Sequence, residues 1–200
     1  MTIPLCDPGV PSGDRRGWTT LDLAGKRERL LSAAGEVFAR QGLDAPMSDV
    51  AEVAGAGVAS VYRRFPSKYE LLAAVVALRL DQIADAADTA LRDGGDRWSA
   101  LTGMVRTLVE RQAADDFLGD ARVAVASHPE VIAAAERATV ALERLMACAR
   151  AEGRLRGDAT TLDLRLLFAA IRAAKQVEPE QWPRMLELLI DALDTRPRTD

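Results

Sequence analysis

The sequence predicts an all-α protein of about nine helices: a three-helix head, a long fourth helix and a helical body. Two observations predict this fold class. Ala, Leu, Arg, Glu and Asp dominate the 200 residues, whereas Val, Ile, Thr and aromatic residues are sparse and scattered, which favours helices over strands. Apolar residues also recur at helical spacing, in segments that end at Gly, Pro or capping residues.

The first predicted helix runs from about Gly25 to Gln41, and Gly42 ends it. Its apolar stripe consists of Leu30, Leu31, Ala34, Val37 and Phe38. Residues 1–22 contain three prolines and three glycines with little periodicity, so they are expected to form a flexible N-terminal tail. Arg15 and Arg16 in this tail are candidates for an arm that touches DNA, and an ordinary charged leader is the alternative.

Two very short helical patterns follow, on either side of the turn Gly55–Gly57. Ser48 is the expected N-cap of the second helix, and Gly55 is its expected C-cap. The third helix begins near Gly57, has Val58, Val61 and Phe65 on one face, and ends before Pro66. Because helices this short are unstable alone in water, they must pack on a neighbour, as in a helix-turn-helix over residues 46–65.

A fourth helix of about 25 residues opens with the capping box Ser67–Glu70 and ends at Gly94-Gly95. Five further helices are expected, and their segments are Trp98–Gln112, Phe117–Ala126, His128 to near Gly153, a helix opening at the capping box Thr160–Asp163, and a helix starting at Pro179–Pro183. The expected organisation is a tail at 1–22, a helix-turn-helix domain at 23–83 and a helical domain at 84–200.

The outer side of the third predicted helix has the chemistry of a DNA-contacting surface. The small residues at its start let the backbone approach base edges, and the apolar ones can meet a thymine methyl group. Tyr62 and Arg64 can reach phosphates, and Arg63 can reach a phosphate or a guanine edge. The alternatives are that the arginines offset the helix dipole and that Tyr62 packs on the first helix.

Lys68 and Ser48 are candidates for phosphate contacts at helix starts. A cation in the first turn of a helix opposes the macrodipole, so the position of Lys68 is explained if a phosphate lies there. Ser48 offers a second such position, and a plain N-cap is its alternative role.

The segment Val50-Ala-Glu-Val-Ala-Gly-Ala-Gly-Val-Ala-Ser-Val-Tyr-Arg-Arg-Phe-Pro-Ser-Lys68, followed by Leu71-Leu72, resembles the tetracycline-repressor (TetR) family. The resemblance covers about Lys26 to Val76. It implies a DNA-binding head in which Gly57, Val58, Ala59 and Ser60 face the bases, while Ser48, Tyr62, Arg64 and Lys68 hold phosphates with Arg63 beside them. The sequence departs from the family pattern at Met47, Ala59, Ser60 and Tyr69, which leaves the operator sequence open.

The resemblance also implies a homodimer and a small-molecule pocket in the body. The dimer would form through a four-helix bundle of the last two helices of each chain. Its candidate residues are Leu164, Leu167, Ile171, Met185, Leu186, Leu189, Ile190 and Leu193. An intramolecular core is the alternative role for such a stripe. The candidate pocket residues are Leu101, Met104, Val105, Leu108, Phe117, Val125, Met146, Phe168 and Ile171, with Arg122, His128 and Arg172 as polar partners.

The favoured function is a ligand-responsive transcriptional regulator, a repressor released from a palindromic operator by a small-molecule inducer. The net charge of −4 is unevenly distributed, because residues 1–79 hold 10 Lys+Arg against 9 Asp+Glu, while residues 80–200 hold 16 against 21. A dimeric ligand-binding or scaffold protein whose head does not bind DNA is the alternative. A helical enzyme is disfavoured because no nucleophile–base pair or paired carboxylates are visible.

No cofactor, metal or membrane partner is expected from the sequence. No apolar run approaches the roughly 18 residues of a membrane span, and the N-terminus has no secretory pattern. Cys6 and Cys148 are the two cysteines, in no metal-binding or redox spacing, so a cytoplasmic location is expected.

Overall fold

The computed structural model describes residues 15–114 and 117–196, and the side chains within 17–110 and 119–196. These residues form helices and an isolated antiparallel bridge between Leu155 and Asp194, which confirms the all-α prediction. The helices are α1 (Arg15–Thr20), α2 (Leu23–Gln41), α3 (Met47–Ala54), α4 (Val58–Arg64), α5 (Lys68–Asp93), α6 (Arg97–Ala114), α7 (Phe117–Ala124), α8 (Pro129–Ala151), α9 (Thr161–Val177) and α10 (Trp182–Leu193).

Helix α1 differs from the expectation of a tail over residues 1–22. It occupies Arg15–Thr20, and Asp22 then caps α2 because its carboxylate accepts the N–H of Gly25 at 2.7 Å. This cap starts α2 at Leu23, slightly before the predicted start. The rest of the expected tail, residues 1–14, lies outside the described residues, as do the side chains of Arg15 and Arg16.

The chain divides into two compact units, and the boundary falls between Val75 and Val76 within α5, earlier than the expected position 83. In unit 1, α2 packs on α3 and α3 packs on α4. The side chains that hold these helices together are fully buried and apolar. They include Leu30, Val37, Phe38, Val50 and Val61. Burial of this kind is the main stabilising contribution for helices as short as α3 and α4.

In unit 2, α6 packs on α8 and α9, and α9 packs on α10. One cluster of buried side chains joins these helices. Its largest fully buried members are Leu101, Leu145, Met146, Leu155 and Ile171. The ends of α8 and α10 are linked by Arg154, whose guanidinium donates to the Asp194 carboxylate at 2.8 and 3.4 Å.

Local signals fixed most helix ends as predicted. Gly94 and Gly95, which follow α5, both have positive φ, a conformation that favours glycine. The capping box at the start of α9 is confirmed, with the Thr160 N–H donating to Asp163 at 2.7 Å. The Ser67 hydroxyl accepts the Glu70 N–H at 3.2 Å at the start of α5. Within the described residues, no helix combines the length and the apolar character that a membrane crossing requires.

Candidate nucleic-acid interface

A glycine turn sets the angle between α3 and α4. Gly55 ends α3 in the left-handed conformation, with φ 67° and ψ 23°, and its N–H donates to the carbonyls of Ala51 and Glu52. Gly57 is extended, and its carbonyl accepts the N–H of Ser60, in the first turn of α4, at 2.8 Å. This turn joins α3 to α4 as the predicted helix-turn-helix requires. Gly55 suits the turn, because a residue without a Cβ adopts the left-handed conformation at little cost.

The inner face of α4 is narrow. Val61 is completely buried and Phe65, which follows the helix, is nearly so. The Arg27 guanidinium lies 5.4 Å from the centre of the Phe65 ring, a cation–π contact from α2. Val58 differs from the prediction that it shares this face, since 44% of it is exposed. It is the first residue of a seven-residue helix whose buried side is limited to Val61.

The outer face of α4 carries most of the residues predicted to contact DNA. The exposed residues on it are Gly57, Val58, Ala59, Tyr62 and Arg63, while Ser60 and Arg64 are half-buried. Tyr62 is 48% exposed, so its side chain is not enclosed by the rest of the head. The arrangement presents small side chains at the start of the helix and long polar side chains after them.

The three predicted cations of this region have different partners. The Arg63 Nη2 donates to the Ser60 hydroxyl at 2.9 Å, along α4 itself. The Arg64 Nη2 donates to the Leu23 carbonyl at 2.5 Å, and the Lys68 Nζ donates to the Leu43 carbonyl at 3.1 Å. The contact with Leu43 explains a lysine in the first turn of α5 without a phosphate. The phosphate contacts of Arg64 and Lys68 stay predictions.

Ser48 is not the N-cap of α3. The helix begins at Met47, and Pro46 occupies the cap position with extended backbone, φ −75° and ψ 152°. Proline fixes φ and needs no N–H partner, so the chain enters the helix two residues earlier than a serine cap would require. Ser48 is an exposed first-turn residue whose hydroxyl donates to Asp49 at 3.1 Å. Its predicted phosphate contact is untested.

The structure places the eight predicted dimer residues in or against the core of unit 2, so their role in a dimer stays a prediction. Five of the eight lie inside unit 2 with at most 4% exposure, namely Leu164, Leu167, Ile171, Leu186 and Ile190. Met185, Leu189 and Leu193 pack against the same core. Exposed apolar residues lie on other sides of the same helices, because α9 has leucines on more than one face. The large exposed apolar residues of these helices are Leu162, Leu166 and Val177 on α9 and Leu188 on α10, each at least half exposed.

The predicted apolar pocket residues mostly lie in or against the core of unit 2. Leu101, Val105, Met146 and Ile171 belong to its buried cluster, with Met104 and Phe168 packed against it. Val125 is buried and Leu108 is half-buried. The side chain of Phe117 lies outside the described residues. The pocket therefore stays a prediction.

The three predicted polar pocket partners have separate environments. His128 caps α8, since its Nδ1 accepts the Glu130 N–H at 3.3 Å. Arg172 donates to Asp120 at 2.6 Å and passes over Gly119, where a Cβ would collide with its guanidinium. Arg122 is exposed, yet desolvation by its surroundings and the nearby Arg165 charge lower the pKa of its guanidinium.

An open groove of about 740 Å³ runs between α5 and α8, and none of the predicted pocket residues lines it. Its lining is mainly charged and includes Asp81, Asp88, Arg137 and Arg144. Arg137 pairs with Asp81 at 2.6 Å and Arg144 pairs with Asp88 at 3.2 Å, so the groove is bridged by ion pairs.

Sequence reasoning missed two features of these surfaces. The Arg63–Ser60 bond has a signal in the i, i+3 spacing, which places the two side chains on one helix face. The exposed apolar face of α9 also has a signal, in the i, i+4 pair Leu162 and Leu166. It was hidden by the adjacent stripe of buried leucines.

Comparisons with known proteins agree with the geometry of the head. Residues 30–75 match the model of the bacterial regulatory proteins of the tetR family. The chain is 33% identical over 101 residues to the HTH-type transcriptional activator FasR of Mycolicibacterium smegmatis, covering 50% of this chain and 46% of FasR. It is 32% identical over 97 residues to the HTH-type transcriptional repressor KstR of the same organism, covering 48% of each chain.

These alignments span about half the length of the two curated relatives. The likeness extends further among solved structures. A TetR transcription regulatory protein from Mycobacterium vanbaalenii is 31% identical, with a TM-score of 0.62, over 86% of this chain and 96% of that one.

Proposed function

Because this chain belongs to the TetR family of bacterial regulators, we propose that it is a transcriptional regulator whose α4 enters the major groove of an operator. The observation that supports this most directly is the outer face of α4. Three small residues, Gly57, Val58 and Ala59, are exposed, as are Tyr62 and Arg63. Val61 of the same helix is completely buried and holds α4 in the head. We propose a cytoplasmic location, because a regulator of this kind must reach its operator.

We further propose a homodimer that binds a near-palindromic operator. In such a dimer two recognition helices are about 34–36 Å apart, one turn of DNA. The residues that suit the contact are the exposed apolar residues Leu162, Leu166 and Val177 of α9 and Leu188 of α10. Leu166→Glu is expected to shift the dimer toward monomer in sedimentation, because a carboxylate would lose its hydration in the contact. The exposed substitution Leu23→Glu in α2 is its control.

The proposed effector is a largely apolar small molecule that binds in unit 2. The candidate lining residues, including Met104 and Phe168, are apolar side chains next to the core, and methionine adapts readily to a ligand. The effector would act by favouring a conformation in which the two recognition helices no longer match successive grooves. Met104→Trp, which fills the site, should weaken the response to effector and keep DNA binding.

We propose repression as the sign of regulation. The two curated relatives carry opposite descriptions, since FasR is described as an activator and KstR as a repressor. A reporter driven by the chain's own upstream DNA separates the two signs. Deletion of the regulator is expected to raise reporter expression, and a fall would make it an activator.

The test of DNA binding is a gel shift on the upstream DNA with Tyr62→Ala and Arg64→Ala. Both variants should bind far more weakly, because each loses a donor that can reach a phosphate. The matched control is Arg144→Ala, which removes an arginine from unit 2, where it pairs with Asp88. Circular dichroism of Arg64→Ala is needed, because Arg64 also holds the Leu23 carbonyl.

The salt series of the same assay decides between the regulator and its alternative. Steep loss of binding between about 50 and 200 mM salt is expected for several phosphate contacts. Binding that is absent at low salt, or unchanged in both head variants, would leave a dimeric ligand-binding or scaffold protein as the function.

A further inference from the structure

We propose that Arg63, positioned by Ser60, recognises a guanine in each operator half-site and is the main source of base specificity on α4. This inference rests on the proposed function as a DNA-binding regulator. It goes beyond that function, because it assigns a base-specific contact to one side chain that could equally have served as a phosphate contact.

The first argument is where the guanidinium lies. Side chains on a helix lean toward its N-terminus, and Arg63 follows this direction to donate from Nη2 to the Ser60 hydroxyl at 2.9 Å. The Ser60 Oγ lies 3.9 Å from the position that a Cβ would occupy at Gly57. The guanidinium is thus drawn toward the start of α4. The start of a recognition helix is the part that meets base edges in helix-turn-helix complexes.

The second argument is the set of donors that the bond leaves available. A guanidinium carries five N–H donors in a fixed fork, and the contact with Ser60 needs one of them. The commonest specific contact in the major groove is a bidentate bond from arginine to O6 and N7 of guanine. Fixing the side chain before binding also lowers the conformational entropy that it loses in the complex.

The third argument comes from the neighbouring cations. Arg64 and Lys68 are half-buried and donate to the backbone carbonyls of Leu23 and Leu43. Arg63 instead remains exposed on the outer face of α4. We therefore assign Arg63 to a base, and Arg64 and Lys68 to the phosphates on the groove walls.

The fourth argument is the space around the guanidinium. Gly57 and Ala59 are exposed and small, so no bulky side chain at the start of α4 keeps the duplex away. Val58 is 44% exposed and offers methyl groups that match a thymine methyl group. The expected half-site therefore contains a guanine with a thymine close to it.

The experiment begins with selection of bound sequences from randomised duplexes by the full-length wild-type protein. Binding is then measured on the selected operator and on four versions of each half-site position. The variants are Arg63→Ala, Arg63→Lys and Ser60→Ala, with Arg64→Ala as the matched control. The three altered positions are exposed or half-buried, and circular dichroism checks that each of the four variants folds.

Arg63→Ala is expected to weaken operator binding about tenfold to a hundredfold and to make one guanine position tolerant of all four bases. Arg63→Lys should keep the charge but recover only part of the discrimination, because an ammonium lacks the fork. Ser60→Ala should reduce discrimination severalfold at the same position. Arg64→Ala should weaken all sequences alike.

A different outcome overturns the inference. If Arg63→Ala weakens every sequence equally and lowers the salt slope by about one, Arg63 contacts a phosphate only. The proposed function would survive that result. If Ser60→Ala leaves discrimination at the guanine unchanged, the positioning role of Ser60 is wrong. If the wild-type protein selects no sequence and binds no duplex, the proposed function fails as well.

Discussion

The cationic side chains next to α4 differ from six arginines of unit 2 in the groups that they bind. In the recognition region of unit 1, Arg64 and Lys68 donate to backbone carbonyls and Arg63 donates to a hydroxyl. Some arginines of unit 2 donate to backbone carbonyls, as Arg97 and Arg150 do, but six others pair with carboxylates. These pairs are Arg106–Glu187, Arg137–Asp81, Arg144–Asp88, Arg154–Asp194, Arg156–Asp158 and Arg172–Asp120.

This difference explains how a chain of net charge −4 can present a surface suited to an anion. A neutral oxygen orients a cation but leaves its charge in place, whereas a carboxylate cancels most of the field that a distant phosphate would feel. The number of arginines in a region is therefore a poor guide to nucleic-acid binding. The acceptors that hold them are the better guide.

The largest expected effect comes from disrupting the buried core of unit 1, which holds the helices that carry Arg63, Arg64 and Lys68. Phe38 is completely buried in α2, so Phe38→Ala should lower the free energy of unfolding by about 3–5 kcal/mol and weaken DNA binding. Urea unfolding measures the first effect and gel shift the second. Val58→Ala, at an exposed position, should change stability by less than about 0.5 kcal/mol. Equal losses in the two variants would contradict the assignment of the core.

The next prediction compares the charges themselves. The double variant Arg63→Ala/Arg64→Ala should weaken operator binding at least about a hundredfold, because it removes two contacts from one surface. The matched double variant Arg137→Ala/Arg144→Ala removes the same charge from unit 2 and should bind as the wild type does. Fluorescence anisotropy at several salt concentrations measures both. Comparable weakening in the two double variants would show that the local partners of an arginine do not decide whether it contributes to DNA binding.

The third prediction tests whether the bond from Lys68 to a carbonyl stabilises unit 1. Lys68→Met keeps the aliphatic length but removes the bond to the Leu43 carbonyl, so stability should fall by about 0.5–1.5 kcal/mol. Urea unfolding measures this loss, and the salt slope of DNA binding reports whether a phosphate contact is lost too. Unchanged stability would mean that the contact with Leu43 contributes nothing to the head.

The smallest expected effect is on the pH dependence of stability, and it comes from the pair Arg154–Asp194 in unit 2. Hydrogen bonding to Arg154, aided by its charge, lowers the pKa of Asp194. The native state thus binds fewer protons than the unfolded state around the ordinary pKa of about 3.9, and stability rises with pH there. The contribution is complete above that value and is lost as the pH falls through the lower folded-state pKa.

Asp194→Asn should therefore reduce stability near neutral pH and flatten the loss of stability between about pH 5 and pH 2. Arg154→Met should flatten it similarly, because it removes the donors responsible. Urea unfolding across this pH range is the measurement. A wild-type pH dependence in both variants would exclude this pair as its source.

Local signals made much of the fold predictable. Gly55 and Gly94-Gly95 mark helix ends, because positive φ is costly for other residues. The capping box at Thr160 and the proline at the start of α10 mark helix starts. The helix-turn-helix could be predicted for the same reason, since its turn and the face of Val61 are encoded within a few residues.

The sequence by itself determined where most helices begin and end and that Tyr62 and Arg63 stand on the outside of α4. Only the tertiary structure decided which side of α9 is buried, because Leu162, Leu164, Leu166 and Leu167 supply apolar groups to more than one face. It also decided the partners of Arg64 and Lys68, carbonyls 41 and 25 residues away along the chain. Helix ends depend on backbone geometry between neighbours, whereas burial and charge pairing depend on residues brought together by folding.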